Sequence, residues 1–373
     1  LLDAQHARND RRLLTHYPSI LFSTHLFIAH CSLLIESLML ALQLDATSQP
    51  AVARDIPTPT PAAGEVLVKL RAAALNHRDV WIQKGQYAGI KLPCTLGADG
   101  SGEVAASGDG THGVAVGDAV IIYPGVAWGN GQVAQGRDFR VLGMPDPGTF
   151  AEYHTTPADY LRPKPAHLDW AQAAALPLAG LTAYRAAFSR AQLKPGERVL
   201  ISGIGGGVAL TAAQFCAAAG AEVWVTSGDD DKLARALALP IGLRGGANYK
   251  AEGWVKDLTK RAGGGFDVII DSAAGPGFEA LVDAAAPGGR IVFYGGTQGP
   301  ITSLTPGKVF WKQLSILGTS MGSLQDFDAM LALVNEHQIV PVVDKHFPLA
   351  EGEAALKYLA AGQQLGKVVL DIA

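Results

Sequence analysis

The sequence predicts an α/β protein in which a β-rich domain is split around a doubly wound parallel sheet. Three observations carry that expectation. Residues 199–228 read as strand, glycine turn, helix and second strand, one βαβ unit of about thirty residues. Residues 93–125 hold short strands broken by Gly97, Gly100, Gly102, Gly108 and Gly117, the pattern of a small, strongly bent β-barrel. Beyond residue 305 the chain reads as a return to the first domain, which makes the middle part an insertion.

In chain order, residues 39–45 alternate like an edge strand. The proline run from Ile56 to Pro61 cannot donate to a sheet ladder and is expected as a loop or extended arm. A strong strand follows over 65–72, and a long loop over 126–148 precedes a strand at 149–155. From about residue 165 strands and helices alternate: a helix over 170–188, the βαβ unit, and parallel strands at 266–271 and 290–294. Residues 315–318, a helix over 324–335 and a closing strand over 367–372 are read as the return. The expected parts are 39–164, 165–304 and 305–373.

Residues 1–38 differ from the rest. Arg8, Arg11 and Arg12 precede an apolar stretch that His25, His30 and Glu36 interrupt, a poor fit to a membrane span. An extension ahead of a natural start at Met39 is the preferred reading, beside a targeting leader or a structural helix.

The chain has 373 residues, 48% hydrophobic and 17% charged, with a net charge of −4 and no basic cluster. That balance suits a globular α/β enzyme and argues against nucleic acid or an anionic membrane as partner. Cys31, Cys94 and Cys216 are far apart, without metal-like or pairing pattern, so a reducing, cytoplasmic setting is expected.

The glycine turn carries the strongest chemical signal. Gly203, Gly205, Gly206 and Gly207 let the backbone turn at a strand end and approach a pyrophosphate, which then sits on the free N–H groups of the helix start. Val208 stands where the fingerprint has its third Gly or Ala, a departure that predicts a slightly displaced helix. The second strand ends at Ser227, without the carboxylate that would hold a ribose 2′-hydroxyl. Lys232, one turn into the next helix, can meet a 2′-phosphate, while Asp229, Asp230 and Asp231 read as cap and first-turn acids. NADP(H) is therefore favoured over NAD(H). Ligands of such sheets lie beyond the strand ends, which adds Ser272, Tyr294, Gly295 and Thr297 as cofactor neighbours.

Several ordered motifs point to one family: Gly64-Glu-Val-Leu-Val68, Ala73-Ala-Leu-Asn76-His-Arg-Asp79, Gly97-Ala-Asp-Gly-Ser-Gly102, Gly117-Asp-Ala-Val120, Thr149-Phe-Ala-Glu-Tyr153, Ala174-Ala-Leu-Pro177, Leu181-Thr-Ala-Tyr184, Gly288-Gly-Arg-Ile-Val292 and Gly366-Lys367. Over residues 39–373 the chain resembles the medium-chain dehydrogenase/reductase superfamily. The resemblance implies a GroES-like catalytic domain split around a Rossmann domain, with the active site in the cleft between them. The family's zinc-ligand positions read Asn76 in place of Cys, and Gly97-Ala98-Asp99 in place of Gly-His-Glu. The segment 126–148 lacks the four cysteines of a structural zinc lobe. Zinc binding is therefore not expected.

What remains resembles the quinone oxidoreductase branch. It implies that Asn76, Trp81 and Tyr87 line the substrate pocket, with Trp81 replacing a usual Tyr and so lacking a hydroxyl. It also implies that Lys232 and Tyr249 hold the 2′-phosphate and that Thr182 contacts the nicotinamide. Plainer readings stand beside these. Asn76 can cap a turn, Trp81 and Tyr87 can be core aromatics, Arg78 and Asp79 read as a structural pair at the domain seam, and His77 as a satisfied structural histidine. The implied activity is NADPH-dependent hydride transfer to a quinone or an α,β-unsaturated carbonyl. The alternatives are a 2-enoyl thioester reductase and a non-catalytic NADPH-binding sensor. Homodimerisation is usual in the branch, through a strand such as 315–318.

Overall fold

The computed structural model describes residues 37–373. The expectations for residues 1–38 fall outside these, except that Leu38 already opens the first strand.

The first part of the chain forms β1 (Leu38–Leu44), β2 (Val52–Pro57), β3 (Glu65–Ala74), α1 (His77–Gln83), β4 (Cys94–Thr95), β5 (Asp99–Ser107), β6 (Ala119–Ile122), β7 (Gly125–Val126), β8 (Arg140–Val141), β9 (Tyr153–Pro157) and β10 (Leu161–Pro163). Strand β3 organises this domain. Its inward residues Val66, Val68 and Leu70 are fully buried, the alternation a half-covered strand needs. One edge of β3 pairs with β5 along its length; the other is shared by β9 and the terminal strand. Two register irregularities, after Leu67 and after Leu70, bend the pair as bulges do. Gly102 permits this close approach, because a Cβ there would collide with the Lys69 carbonyl. The expected bent barrel is thus an open, curled sheet.

After α2 (Trp170–Ala174), the inserted part runs through α3 (Pro177–Tyr184), β11 (Arg198–Ile201), α4 (Gly207–Ala218), β12 (Glu222–Ser227), α5 (Asp230–Leu237), β13 (Gly245–Asn248), α6 (Trp254–Arg261), β14 (Phe266–Asp271), α7 (Phe278–Ala284), β15 (Ala285–Phe293), α8 (Pro306–Trp311) and β16 (Ser315–Gly318). Its six strands are all parallel in the order β13-β12-β11-β14-β15-β16. Val199, Leu200 and Ile201 of β11 are fully buried, as a strand covered by helices on both faces must be. Strand order reverses at β11, so the turn that follows it lies at the sheet's switch point.

The chain closes with α9 (Leu324–Glu336), β17 (Val343–Pro348), α10 (Gly352–Ala360) and β18 (Lys367–Asp371). Here both expected boundaries move. Ser315–Gly318 does not return to the first domain: it pairs in parallel with β15 and forms the outer strand of the Rossmann sheet. Helix α9 packs on α3, and only β17 and β18 rejoin the curled sheet. At the other end α2 lies against β3 and β5, with Ser101 donating to the Trp170 carbonyl at 2.7 Å. The insertion therefore begins after α2, not at 165, and ends near 318, not 304. The expected single helix over 170–188 is broken at Pro177 and ends in a π-helical turn over Arg185–Arg190.

Candidate functional site

A cavity of about 980 Å³ lies between the two domains. Each residue expected to bind substrate or cofactor lines it: Asn76, Trp81 and Tyr87 from the catalytic domain, Thr182 from α3, and Gly203, Gly205, Gly206, Gly207, Val208, Ser227, Lys232, Tyr249, Ser272, Tyr294, Gly295 and Thr297 from the Rossmann domain.

The Rossmann half is built as a cradle. Gly203 has φ +66°, which favours glycine, and Gly206 stands at the N-cap of α4 with no side chain bonded to the helix start. The first-turn N–H groups of α4 are left for a ligand, and an anion satisfies them and the helix dipole together. The glycines are also needed for room. A Cβ on Gly205 would lie 2.5 Å from Lys232 Cδ, and one on Gly207 would lie 2.6 Å from Lys367 Cδ. At the end of β12, Ser227 accepts from the Asp229 N–H at 3.1 Å, while Asp229 caps α5 by accepting from the Lys232 N–H at 2.8 Å. Tyr249 stands over Gly228 with Lys250 beside it. Lys232 lays its stem along Gly205 and donates from Nζ to the Gly362 carbonyl at 2.7 Å. These residues fit a dinucleotide: bare glycine backbone for the pyrophosphate, and Lys232, Tyr249 and Lys250 at the end of β12, where Asp229, with Oδ1 spent on its helix cap, also lines the cavity.

Further along, Asp271 accepts from Ser202 and from the Ala274 N–H, which fixes the strand end that presents Ser272. Burial pushes the Tyr294 phenol well above its ordinary pKa, so it stays protonated and serves as a donor or packing surface, not as a base.

In the catalytic half, Asn76 is the N-cap of α1, and Asp79 returns the bond by accepting from the Asn76 N–H at 2.8 Å. Asn76 thus stands at a helix N-cap and also lines the cavity. Its amide is not loose: Nδ2 donates to Asp99 Oδ2 at 2.9 Å, and Oδ1 accepts from Lys367 Nζ at 2.8 Å. Lys367 also donates to Asp99 Oδ2 at 2.8 Å. Trp81 and Tyr87 are half-buried cavity walls, with Arg78 5.2 Å from the Tyr87 ring centroid. Arg78 and Asp79 approach to 3.8 Å, but Arg78 spends its better bonds on the Leu142 and Met144 carbonyls at 2.6 and 3.2 Å. It fastens the cavity's far wall. His77 is exposed on the cavity wall, tilted against Trp81, so it is no satisfied core histidine.

Zinc needs three or four nitrogen, sulfur or oxygen donors around one point. Among the described residues no three His, Cys, Asp or Glu side chains converge. At the family's metal positions Asp99 is already paired with the Lys367 ammonium, whose charge opposes a second cation. The donor set does not fit zinc.

Sequence reasoning missed four contributors. Lys367 was visible only as the end of a Gly-Lys motif, and its reach to Asn76 needs the returning strand. Lys250 was legible as the neighbour of Tyr249. Gln364 lines the cavity from the loop before β18 and has a buried, unpartnered Oε1. The loop over 126–148, named only as a loop, supplies Gln135, Phe139, Arg140, Met144 and Pro145.

Comparison with known proteins agrees with this fold. Residues 62–166 match the family described as alcohol dehydrogenase GroES-like domain, and residues 207–336 match the one described as zinc-binding dehydrogenase. A zinc-type alcohol dehydrogenase-like protein, YogA, of Leptosphaeria maculans is 33% identical over 89% of this chain and 94% of its own length. Mouse (Mus musculus) quinone oxidoreductase is 29% identical over 90% of this chain and 98% of its own. A crystal structure titled as an NAD-dependent alcohol dehydrogenase superposes with a TM-score of 0.85, at 38% identity, over 90% of this chain and all of that one. The chain belongs to the medium-chain dehydrogenase/reductase superfamily of oxidoreductases.

Proposed function

We propose that this protein is a zinc-independent, NADPH-dependent oxidoreductase that reduces a quinone or an α,β-unsaturated carbonyl. The observation that carries the reading is one continuous cavity. It has a glycine cradle and a Ser227–Lys232–Tyr249–Lys250 end for the cofactor, and Asn76, Trp81 and Tyr87 facing it from the other domain. When bound, the reduced dinucleotide supplies the hydride. The chain's own residues hold the flat acceptor between Trp81 and Tyr87, exclude water by closing the cavity with the 126–148 loop, and offer hydrogen-bond donors to the oxygen that gains charge.

Because the donor set at Asn76 and Asp99 does not suit a metal, the reading favours acceptors whose reduction needs no Lewis acid over simple alcohols. The zinc-type and NAD-dependent relatives stand against this, while the residues at the two sites support the reading given. The thioester alternative needs a basic rim, but of the arginines lining the cavity Arg78 is spent on the Leu142 and Met144 carbonyls and Arg140 is paired with Asp146 at 2.7 Å. A homodimer formed across the outer edge of β16 belongs to the same reading, supported by that strand having a neighbour on one side only.

Steady-state assays of NADPH oxidation against a panel of quinones and enones test the reading. Turnover is expected with at least one acceptor class, in metal-free buffer containing chelator. A requirement for added zinc, or no oxidation across the panel, contradicts it.

A further inference from the structure

Asn76, Asp99 and Lys367 close a ring at the domain seam. Lys367 Nζ is 2.8 Å from both Asn76 Oδ1 and Asp99 Oδ2, and Asn76 Nδ2 is 2.9 Å from the same carboxylate oxygen. All three side chains are more than nine-tenths buried. An ammonium has only donors and a carboxylate only acceptors, so the amide has a single allowed orientation, oxygen toward Lys367 and nitrogen toward Asp99. The ring is itself anchored on both domains. Asp99 Oδ1 accepts from the Leu178 N–H at the start of α3 at 2.7 Å, and its main-chain carbonyl accepts from Thr149 at 2.7 Å. The Lys367 stem lies across Gly207, where a Cβ would come within 2.6 Å of Lys367 Cδ.

This arrangement decides what Asn76 can offer a ligand. Its carbonyl oxygen is taken by a full positive charge. Its second N–H has only the Ala74 carbonyl at 3.5 Å, the outer limit of a hydrogen bond. Within the Asn76 amide, the second N–H is thus the least engaged group, and the residue lines the cavity.

We propose that Asp99 and Lys367 are positioning residues that fix the Asn76 amide as a donor-only group for the carbonyl or quinone oxygen of the substrate. The inference rests on the reductase reading above and deepens it. In an enone, when hydride adds to the β-carbon, the C=C electron pair shifts toward the carbonyl and negative charge arrives on its oxygen. The Asn76 N–H receives that charge by hydrogen bonding, and water then protonates the α-carbon to give the saturated ketone. Lys367 strengthens the donor by polarising the amide from its oxygen side. A free amide could also turn its oxygen to an alcohol hydroxyl; the ring removes that option and so selects acceptor oxygens.

The test compares Lys367→Met, Lys367→Arg, Asp99→Asn and the double variant Asp99→Asn/Lys367→Met with the parent protein. Turnover of 9,10-phenanthrenequinone and of an enone is read as kcat and KM, with NADPH affinity from fluorescence titration and thermal midpoints alongside. Lys367→Met and Asp99→Asn each leave a buried charge unpaired and can lose stability; the double variant leaves none and keeps the comparison valid if they do. The expected result is a kcat lower by about 10²-fold in the double variant, the scale of one lost transition-state donor, with NADPH affinity within about threefold of the parent. Lys367→Arg, which keeps a cation with donors for both partners, is expected to recover most of kcat.

A double variant turning over within about threefold of the parent overturns the proposal, because the ring is then purely structural. Loss of NADPH affinity in step with kcat also overturns it, since Lys367 then serves the cofactor. A parent protein that reduces no carbonyl acceptor fails the reductase reading itself, and the proposal falls with it.

Discussion

Tyr249 stands over Gly228 so closely that any Cβ at Gly228 would collide with its hydroxyl. The phenol and the neighbouring Lys250 thus form a wall over the turn after β12, and Lys232 lines the same cavity. This is where a 2′-phosphate lies if the dinucleotide follows the sheet's switch point. Each charge-assisted hydrogen bond to a phosphate contributes about 1.5–3 kcal/mol. Lys232→Ala and Tyr249→Phe/Lys250→Ala are each expected to weaken NADPH binding by about tenfold or more while changing NADH affinity little. Parallel fluorescence titrations check this, and equal losses for both cofactors would remove the phosphate role.

Two glycines separate binding from folding. Gly207→Ala pushes a methyl into the Lys367 stem at the mouth of the cradle, and is expected to weaken the cofactor while leaving the thermal midpoint within a few degrees of the parent. Gly102→Ala pushes one into the Lys69 backbone, which cannot move without parting β3 from β5. It is expected to cost about 3 kcal/mol or more, read as a lower urea midpoint.

Arg185 holds the cavity loop from behind. It donates to Asp326 at 2.7 Å and to the Gln132 and Val133 carbonyls, with its guanidinium 4.9 Å from the Trp128 ring centroid. Arg185→Met strands the Asp326 carboxylate in the interior, an effect of about 3–5 kcal/mol. Hydrogen exchange in the 126–139 segment is expected to quicken along with the loss of stability.

Two buried groups pull the pH dependence in opposite directions. Burial lowers His154 from 6.5 to about 4, and its Nε2 has no partner. The unfolded chain therefore binds a proton that the native chain refuses, so this contribution is intact above pH 6.5 and is lost as pH falls toward 4, by about 3 kcal/mol. Burial raises Asp79 from 3.8 to about 6 against the pull of Arg78. Here the native chain takes the proton first, so stability grows by about 3 kcal/mol as pH falls from 6 to 3.8. The two offset each other in the parent. Urea unfolding at pH 4.5 and 7.5 should then show a smaller acid loss for His154→Gln than for the parent, and a larger one for Asp79→Asn. Equal acid loss in all three proteins would contradict both assignments.

The βαβ unit was legible because its strands, turn and helix are local and each carries its own period. So was part of the cavity's lining, since each residue expected to bind cofactor or substrate lies on it, while Lys250, Gln364 and the loop residues went unnamed. The boundaries were not, because sheet membership is set by partners far along the chain. Residues 315–318 carry no mark that they pair with β15 instead of β17. The Asn76–Asp99–Lys367 ring was hidden for the same reason: its members lie on α1's cap, β5 and β18, up to 291 residues apart. Asn76 and Asp99 could be singled out one by one, but the bond that limits Asn76 to donating exists only in three dimensions.

The most direct measurement is a side-by-side fluorescence titration of the protein with NADPH and NADH, followed by 9,10-phenanthrenequinone and an enone in the same cuvette, with chelator present. Tighter binding of NADPH and its oxidation by either acceptor without metal is the predicted result. Preferred NADH binding, or oxidation that appears only on adding zinc, would contradict the account.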